Sequence, residues 1–388
     1  MKNHYHYLII GGGLTADAAV RGIREIDKEN SIGIISREGD PPYIRSKLSK
    51  GLWKETSLDK IWCNTQELDV DILLSRQIIA LNREAQTVQD EAGELYSYDK
   101  LLLATGGTRR HLPLNSDRII YYRTLQDYRE LKDLSVKNSS FLVIGGGFIG
   151  SEIAAALAMR GKEVTMVFPE QTIGERVFPQ ELAQYVTQYY RQKGVNVVSE
   201  DTIVTIDDST PKLSLATQNG LSFTVDGVIA GIGIIPNTTL AENAGLKIDN
   251  GIVVNSFLET SDSQIYAAGD VAAFPSKVFG KYRRVEHEDN AIAMGRLAGG
   301  NMAGAHQSYE HTPMFYSDLF DLGYEAVGEL DSSYKTFTDW IEPFKKGVIY
   351  YLQAEQIKGI LLWNVWDRVK EATALLGKRG DNLSGRLP

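Results

Sequence analysis

The sequence predicts an α/β protein with two domains built on parallel sheets, followed by an α+β domain with an antiparallel sheet. Two glycine-rich turns, GGGLTA at 11–16 and GGGFIGSE at 145–152, each stand between a β-prone run and a helically spaced run. Beyond Ala305, aromatic and apolar residues alternate, as at 348–352 and 360–365, which is typical of antiparallel strands. Together these observations predict the fold class.

The first glycine-rich turn joins a strand to a helix. Residues 5–10 are β-prone, and residues 15–26 place Ala16, Ala19 and Ile23 on one helical face. Residues 31–36 then predict a second strand. A strand, a helix and a second strand in this order indicate a parallel, Rossmann-like sheet with a ligand at the carboxyl ends of its strands.

The second glycine-rich turn repeats this order. Residues 141–144 predict a strand, 151–160 a helix and 164–168 another strand. Three further apolar runs end abruptly in glycine, namely 101–107, 228–237 and 265–270. Backbone that lacks a side chain at the end of a strand lets a ligand approach closely, so each run marks an expected edge of a ligand site.

Composition excludes several classes of function. The 388 residues are enough for two or three domains, and the net charge of −9 argues against a broad surface for nucleic acid. A single cysteine, Cys63, allows no internal disulfide and suits a reducing compartment. We find no apolar run long enough to span a membrane, no signal peptide and no metal-binding motif. The expectation is a cytoplasmic protein without a metal.

Both turns fit a phosphate-binding pattern, GxGxxG or GxGxxA, in which backbone N–H groups at the amino terminus of a helix bind pyrophosphate. The matching residues are Gly11, Gly13 and Ala16 in the first turn, and Gly145, Gly147 and Gly150 in the second. One match alone is a weak signal, because a glycine-rich turn also occurs in folds that bind no ligand. Two matches, each between a strand and a helix, favour two dinucleotide sites.

The acid expected about 20 residues after each turn differs between the two sites. After the second turn it is Glu170, which would repel a 2′-phosphate and therefore favours NADH over NADPH. After the first turn the strand ends in Arg37 and Glu38, a less regular arrangement. Two dinucleotides in one chain are useful if NADH donates a hydride and FAD accepts it, since FAD can release the two electrons singly.

The sequence contains four longer motifs: PPYIRSKLSKGLW (41–53), YDKLLLATGGT (98–108), AAGD (267–270) and RRVEHEDNAIAMGRLAGGNM (283–302). They resemble motifs of the FAD- and NAD-dependent pyridine nucleotide-disulfide reductases. The segments MFYSDLFDLGYEAVGELDSS (314–333), GVIYYL (347–352) and GILLWNVWDR (359–368) are most similar to apoptosis-inducing factor and its bacterial relatives. Ferredoxin and rubredoxin reductases are the next most similar group.

The resemblance implies three domains: a discontinuous FAD domain at 1–110 and 237–305, an NAD domain at 111–236, and a β-rich dimerisation or interface domain at 306–388. It implies that FAD contacts Gly11, Gly13, Leu14, Thr15, Ala16, Arg37, Glu38, Arg45, Lys50, Ile78, Thr105, Gly106, Arg123, Asp270, Glu286, His287 and Tyr316. It implies that NADH contacts Gly145, Gly147, Phe148, Ile149, Gly150, Glu170, Gly233 and Glu325.

Three residues receive catalytic roles from the same resemblance. Lys50 and Glu152 are expected to form an ion pair beside the reactive nitrogen of the flavin, where desolvation couples them strongly. Phe148 is expected to cover the flavin ring and to move aside for nicotinamide. The reduction rate and NADH affinity of a Phe148→Ala variant test that role, and unchanged values would refute it.

The sequence also departs from its relatives. Residues 38–53 contain no cysteine, so chemistry through a redox disulfide is not expected. Tyr316 stands where relatives usually have Trp, and Glu175 replaces a basic residue of animal apoptosis-inducing factor. Both changes bear on the strength of NADH binding.

Two functions follow. The leading one is an NADH oxidoreductase that passes electrons through FAD to an iron–sulfur protein, a quinone or oxygen. A basic patch around Lys281, Arg283 and Arg284 would attract an acidic carrier. The alternative is a redox-sensing flavoprotein that forms a homodimer or binds partners when NADH reduces it.

Overall fold

The computed structural model describes residues 3–54 and 56–387 of the chain. They form two compact units. The first consists of Met1–Arg45, Ser57–Thr108 and Ile235–Pro313, and the second of Ser46–Thr56, Arg109–Ile234 and Met314–Pro388. The predicted division into three domains stays a prediction.

Within the described residues the strands are numbered in chain order as follows: His4–Ile10 (β1), Ile32–Ile35 (β2), Asp71–Leu73 (β3), Ile78–Asn82 (β4), Thr87–Asp90 (β5), Leu95–Leu103 (β6), Gly107–Arg109 (β7), Ile119–Tyr121 (β8), Ser140–Ile144 (β9), Glu163–Val167 (β10), Asn196–Val198 (β11), Ile203–Asp207 (β12), Leu213–Thr217 (β13), Ser222–Val225 (β14), Gly227–Ala230 (β15), Ile234–Pro236 (β16), Ile252–Val253 (β17), Ile265–Ala267 (β18), Ala272–Ser276 (β19), Lys281–Arg283 (β20), Met314–Leu319 (β21), Leu322–Gly328 (β22), Lys335–Glu342 (β23), Lys346–Gln353 (β24) and Gln356–Trp363 (β25). The helices are Leu14–Ile26 (α1), Leu125–Lys137 (α2), Phe148–Met159 (α3), Gln180–Gln192 (α4), Thr239–Asn243 (α5), Glu288–Met302 (α6) and Val369–Thr373 (α7).

The first unit is organised around a mixed sheet. Strand β1 lies between β2 and β6 and is parallel to both, while β18 extends the parallel part beyond β6. Strands β4 and β5 add an antiparallel edge. The four residues of β2 are all buried, as expected for a parallel strand covered on both faces. The carboxyl ends of β1, β2, β6 and β18 therefore meet at one edge, where the first glycine-rich turn begins.

Helix α6 packs closely against α1, the helix that follows this turn. A Cβ added to Gly299 of α6 would lie 2.1 Å from the carbonyl oxygen of Ala19. Ala16, Ala19 and Ile23 are buried, which confirms the helical face read from the sequence. The small residues of AMGRLAGG thus let two helices approach each other at the base of the first turn.

The second unit contains a parallel and an antiparallel sheet. The parallel sheet has the order β11-β10-β9-β15-β8, with β9 at its centre, and a small antiparallel sheet of β12 to β14 is associated with the same core. The second antiparallel sheet has the order β21-β22-β25-β24-β23. In β24 the five consecutive residues 347–351 are buried, so this strand is covered on both faces. The predicted fold class is confirmed.

One predicted boundary was wrong. Helix α3 begins at Phe148 rather than at Ser151, because its N-cap is Gly147, which offers no side-chain cap for the sequence to reveal. The antiparallel sheet begins at Met314, inside the C-terminal domain predicted at 306–388. Among the described residues, no helix is both long enough and apolar enough to cross a bilayer.

Candidate functional site

The first glycine-rich turn, in the first unit, leaves the amino terminus of α1 open. Gly11 has φ +114°, and a Cβ added there would lie 2.2 Å from the carbonyl oxygen of Ala104, so only glycine fits. Gly13 is the N-cap of α1 and, among the described residues, receives no side-chain cap. A Cβ added to Gly13 would meet no heavy atom within 4 Å. The space and the helix amino terminus fit a dinucleotide pyrophosphate.

Beside this turn, Glu38 takes part in a polar network. Its carboxylate accepts hydrogen bonds from the Tyr43 hydroxyl at 2.7 Å and from Nη2 of Arg45 at 2.7 Å. Burial disfavours the charged guanidinium, but Tyr43, Glu38 and Asp270 together raise the pKa of Arg45 above its ordinary value. Glu38 is therefore fixed in the loop that follows β2, while the neighbouring Arg37 is exposed and Ile78 is buried at the start of β4.

The sequence analysis did not predict a further pair of polar contacts, which join Thr105 and Asn237. The Thr105 hydroxyl donates to the carbonyl oxygen of Asn237 at 2.8 Å, and the Asn237 side chain donates to the carbonyl oxygen of Thr105 at 2.7 Å. Gly106, which has φ +61°, accepts from the Asn237 N–H at 3.0 Å. The only available signal was the asparagine that ends VIAGIGIIPN, whose partner lies far away in the sequence.

Arg284 hydrogen-bonds the segment that carries Asp270, much as Asn237 hydrogen-bonds the turn at Thr105. Its Nη1 donates to the carbonyl oxygen of Asp270 at 3.0 Å and to Oε1 of Glu286 at 2.6 Å. His287 is the N-cap of α6, so Glu286 and His287 precede the amino terminus of that helix, as the sequence predicts. The arrangement joins two of the residues proposed for flavin binding, Asp270 and Glu286, although Arg284 itself was considered only as a surface cation.

The second unit repeats the turn. Gly145 has φ +114°, and a Cβ added there would lie 2.6 Å from the carbonyl oxygen of Gly231. Gly150 contacts the turn from the helix, where an added Cβ would lie 2.0 Å from the carbonyl oxygen of Gly145. Gly147, the N-cap of α3, has φ −85° and open space around it. This geometry fits a second pyrophosphate.

A cavity of about 160 Å³ lies directly beside Gly147. Its lining includes Glu170, whose Oε1 is 3.0 Å from Nη2 of Arg176. Glu175 also lines it, and its carboxylate accepts from the backbone N–H of Gln171 at 2.5 Å. Two carboxylates and one guanidinium thus stand beside the turn, where an adenosine ribose is expected.

The Lys50–Glu152 ion pair is buried in the second unit. Nζ of Lys50 lies 2.9 Å from Oε1 and 3.0 Å from Oε2 of Glu152, whose side chain is 2% exposed. The Ser49 hydroxyl donates to Oε2 at 2.5 Å, and the Ser317 hydroxyl donates to Oε1 at 2.6 Å. A buried carboxylate requires such compensation. The two serines were missed from the sequence because nothing in it links residues 49 and 317 to 152.

The segment that carries Lys50 is held by two buried aromatic side chains. The carbonyl oxygen of Leu48 accepts hydrogen bonds from the Tyr122 hydroxyl at 2.6 Å and from Nε1 of Trp53 at 2.8 Å. Burial raises the pKa of Tyr122 well above its ordinary value, so this hydroxyl keeps its proton and remains a donor. The backbone N–H of the neighbouring Arg123 donates to Oδ2 of Asp127 at 2.9 Å, which orders the turn before α2.

Aromatic rings surround the start of α3. The ring of Phe148 is 38% exposed and contacts Phe315 edge-to-face, with 5.6 Å between the ring centroids. Nζ of Lys50 lies 5.1 Å from the centroid of Tyr316, within the range of a cation–π interaction. Ile149 follows Phe148 on the first turn of α3, and Gly233 has φ +92° after β15. The gating role of Phe148 stays a prediction.

Glu325 pairs with Tyr316 across β21 and β22. Its Oε2 is buried and has no hydrogen-bond partner among the described residues. Burial and the nearby Asp367 raise the pKa of Glu325, although the backbone of Asp367 also hydrogen-bonds it and opposes the shift. A buried oxygen without a partner fits a site that a polar ligand group completes.

The predicted residues fall in both units: Lys50, Arg123, Tyr316 and the NADH residues belong to the second, and the other FAD residues belong to the first. Cys63 is half-buried and forms no disulfide within the described residues. In the part of the chain that the structure describes, no group of three or more His, Cys, Asp and Glu side chains is arranged to hold a metal ion.

Comparison with known proteins agrees with this geometry. Residues 298–343 and 339–378 match the C-terminal domain family of mitochondrion-associated apoptosis-inducing factor. Apoptosis-inducing factor 1, mitochondrial, from Dictyostelium discoideum is 34% identical over 97% of this chain and 79% of its own length. Monodehydroascorbate reductase 3 from Arabidopsis thaliana is 31% identical over 93% and 90% of the two chains.

A solved structure shows the same fold. The covalent putidaredoxin reductase–putidaredoxin complex superimposes with a TM-score of 0.90 at 29% identity, over 98% of this chain and 94% of the other. The model for pyridine nucleotide-disulphide oxidoreductases matches residues 5–295. That family uses FAD and NAD(P)H, which confirms the cofactor prediction at the level of the family. The chain belongs to the pyridine nucleotide-disulphide oxidoreductase family.

Proposed function

We propose that this protein is an NADH-dependent flavoprotein oxidoreductase that passes electrons to a small acidic iron–sulfur carrier without a redox disulfide. The observation that carries the proposal is the pair of glycine turns, Gly11–Gly13 and Gly145–Gly147, each with an open helix amino terminus. The buried Lys50–Glu152 pair and the absence of cysteine from residues 38–53 add support. The family membership agrees with both.

Different residues would contact different parts of FAD. In the first unit, the amino terminus of α1 would hold the FAD pyrophosphate, and Glu38 and Asp270 would accept hydrogen bonds from hydroxyl groups. Lys50 would donate to the flavin, since its third N–H proton is not required by the two oxygens of Glu152. FAD, when bound, accepts two electrons from NADH and releases them singly.

We expect Glu170 to select NADH against NADPH. Its carboxylate would repel a 2′-phosphate, whereas Arg176, 3.0 Å away, would attract one as soon as Glu170 is neutral. In Glu170→Gln we predict that the kcat/KM ratio of NADH to NADPH falls by roughly tenfold, equivalent to about 1.4 kcal/mol. The exposed Glu163→Gln serves as the control for the loss of one charge. An unchanged ratio in Glu170→Gln would contradict this role.

The carrier is proposed to bind at the hairpin of β19 and β20 in the first unit. Lys281 and Arg283 lie on β20, with Tyr282 between them 51% exposed. The guanidinium of Arg283 lies over the ring of Phe279, 4.3 Å from its centroid. On a chain of net charge −9, this local positive group is suited to guiding an acidic partner. The similarity to a reductase solved in complex with putidaredoxin supports the choice of partner.

An acceptor comparison tests the proposal. With NADH as donor, Lys281→Glu combined with Arg283→Glu should lower kcat/KM for an acidic [2Fe–2S] ferredoxin about tenfold or more at low salt, and less at high salt. Turnover with a neutral quinone should not change, and Lys346→Glu should affect neither acceptor. Equal losses with both acceptors would show that the hairpin does not recognise the carrier. No turnover of the unaltered protein with any one-electron acceptor would overturn the proposed function.

A second candidate is a redox-sensing flavoprotein. It is favoured by the match of residues 298–343 and 339–378 to the C-terminal family of apoptosis-inducing factor. Under this alternative, NADH would reduce the protein without rapid turnover and would change its elution volume through dimerisation. Gel filtration with and without NADH distinguishes the two, since the enzyme requires no such change. A cytoplasmic location stays a prediction, because the Dictyostelium relative is named a mitochondrial protein.

A further inference from the structure

Glu152 has an unusually complete set of donors for a single buried side chain. Oε1 accepts from Lys50 at 2.9 Å and from Ser317 at 2.6 Å, while Oε2 accepts from Lys50 at 3.0 Å and from Ser49 at 2.5 Å. An ionised carboxylate only accepts, so both serine hydroxyls must donate to it. Each oxygen therefore has one cationic and one neutral donor.

The Glu152 carboxylate and its three donor side chains come from three separate segments of the second unit. Ser49 and Lys50 lie in Ser46–Thr56, Glu152 lies on α3, and Ser317 lies on β21, the edge strand of its sheet. Neighbouring residues of a strand point to opposite faces, and Ser317 is buried while Tyr316 is 39% exposed. Because β21 is at the edge, both can still reach the ion pair: Ser317 binds Glu152, and Tyr316 faces Lys50.

Ser317 and Tyr324 are paired residues on β21 and β22. The Ser317 hydroxyl carries a single proton, and it donates that proton to Glu152 at 2.6 Å. Tyr324 is buried and lines the cavity beside Gly147, and its burial raises the pKa of its hydroxyl well above the ordinary value. The strand pair thus connects that cavity to the carboxylate that binds Lys50.

We propose that Ser317 and Ser49 are positioning residues that clamp the Glu152 carboxylate from both oxygens and thereby hold the Lys50 ammonium in one place. Without the clamp, the carboxylate could rotate about its last torsion and exchange partners. With it, both oxygens are fixed, and Lys50 has one bidentate geometry. This inference rests on the proposed function in one respect, namely that the purpose of the clamp is to present Lys50 to the flavin.

The test measures Lys50 directly, independently of turnover. Buried, hydrogen-bonded ammonium protons exchange slowly with water, so ¹⁵N NMR of lysine side chains can follow Lys50 in the full, flavin-loaded chain, assigned with Lys50→Arg. In Ser317→Ala we expect the exchange of these protons to accelerate roughly tenfold or more, the scale of one lost hydrogen bond to a charged group. Ser49→Ala should act in the same direction, and Ser317→Thr, which keeps the hydroxyl, should restore slow exchange.

A matched control excludes a general effect of losing a hydroxyl. Ser116 donates to Oδ2 of Asp208 at 2.6 Å in the same unit, and Ser116→Ala should leave the Lys50 signal unchanged. The loss of a hydrogen bond to a charged group should change the exchange rate clearly. If the rate in both Ser317→Ala and Ser49→Ala stays within about twofold of the rate in the unaltered protein, the clamp is refuted. If NADH fails to reduce the unaltered protein but the NMR result holds, the proposed function fails and the clamp stands.

Discussion

Replacing Glu152 by glutamine is expected to destabilise the second unit by about 3–5 kcal/mol, because Lys50 would then be buried without a counter-charge. The substitution preserves size, so the loss reports charge and hydrogen bonding rather than a cavity. The new amide NH2 group would also face Lys50 and one of the two serines, Ser49 or Ser317, which donate to the carboxylate at 2.5–3.0 Å. Urea unfolding of the flavin-free chain measures the change without a contribution from FAD binding.

Two further variants separate this effect from ordinary ion pairing. Glu342→Gln breaks the exposed pair with Lys345, whose side chains are 57% and 64% exposed, and should cost less than about 1 kcal/mol. Replacing both partners, Lys50→Met with Glu152→Leu, should recover at least half of the loss, since no buried charge is then left unpaired. A loss in Glu152→Gln no larger than that in Glu342→Gln would contradict the buried-pair account.

The second large effect concerns the two glycines at the helix amino termini. Alanine at Gly147 meets no heavy atom within 4 Å and needs no unusual φ, so we expect its cost to folding to stay below about 1 kcal/mol. If a pyrophosphate approaches that backbone, the added methyl group must weaken NADH binding by at least about tenfold. Gly13→Ala has the same geometry and should weaken FAD binding instead.

Each variant is the control for the other. Isothermal titration of the flavin-loaded protein with NAD⁺ should show the loss in Gly147→Ala, while its FAD content stays normal. Gly13→Ala should lose FAD on gel filtration but keep its affinity for NAD⁺. If both variants bind both dinucleotides normally, no pyrophosphate occupies the open space beside the turns.

The local parts of the fold could be predicted from the sequence because they depend on residues close together in the chain. The strand before Gly11, the helix after it and the repeat at Gly145 all follow from short-range spacing. The start of α3 was misplaced because a helix whose N-cap is Gly147 and whose first turn contains Gly150 carries few helical signals.

The polar contacts of the site could not be predicted because they join residues that are distant in sequence. Asn237 binds the turn at Thr105, and Ser317 binds Glu152 across a strand and a helix. Serine and asparagine are common residues whose partners depend on the tertiary fold, so no spacing rule identifies them. The resemblance to known reductases supplied Lys50 and Glu152, but not the two hydroxyls that satisfy their charge.

The central claim is that one chain binds FAD and NADH so that NADH reduces the flavin. Anaerobic mixing of the purified protein with NADH, followed by the visible absorbance of the flavin, measures this directly. We predict rapid bleaching in the unaltered protein and bleaching at least about tenfold slower at subsaturating NADH in Gly147→Ala. A folded protein that contains no flavin, or whose flavin is not bleached by NADH, would contradict the account.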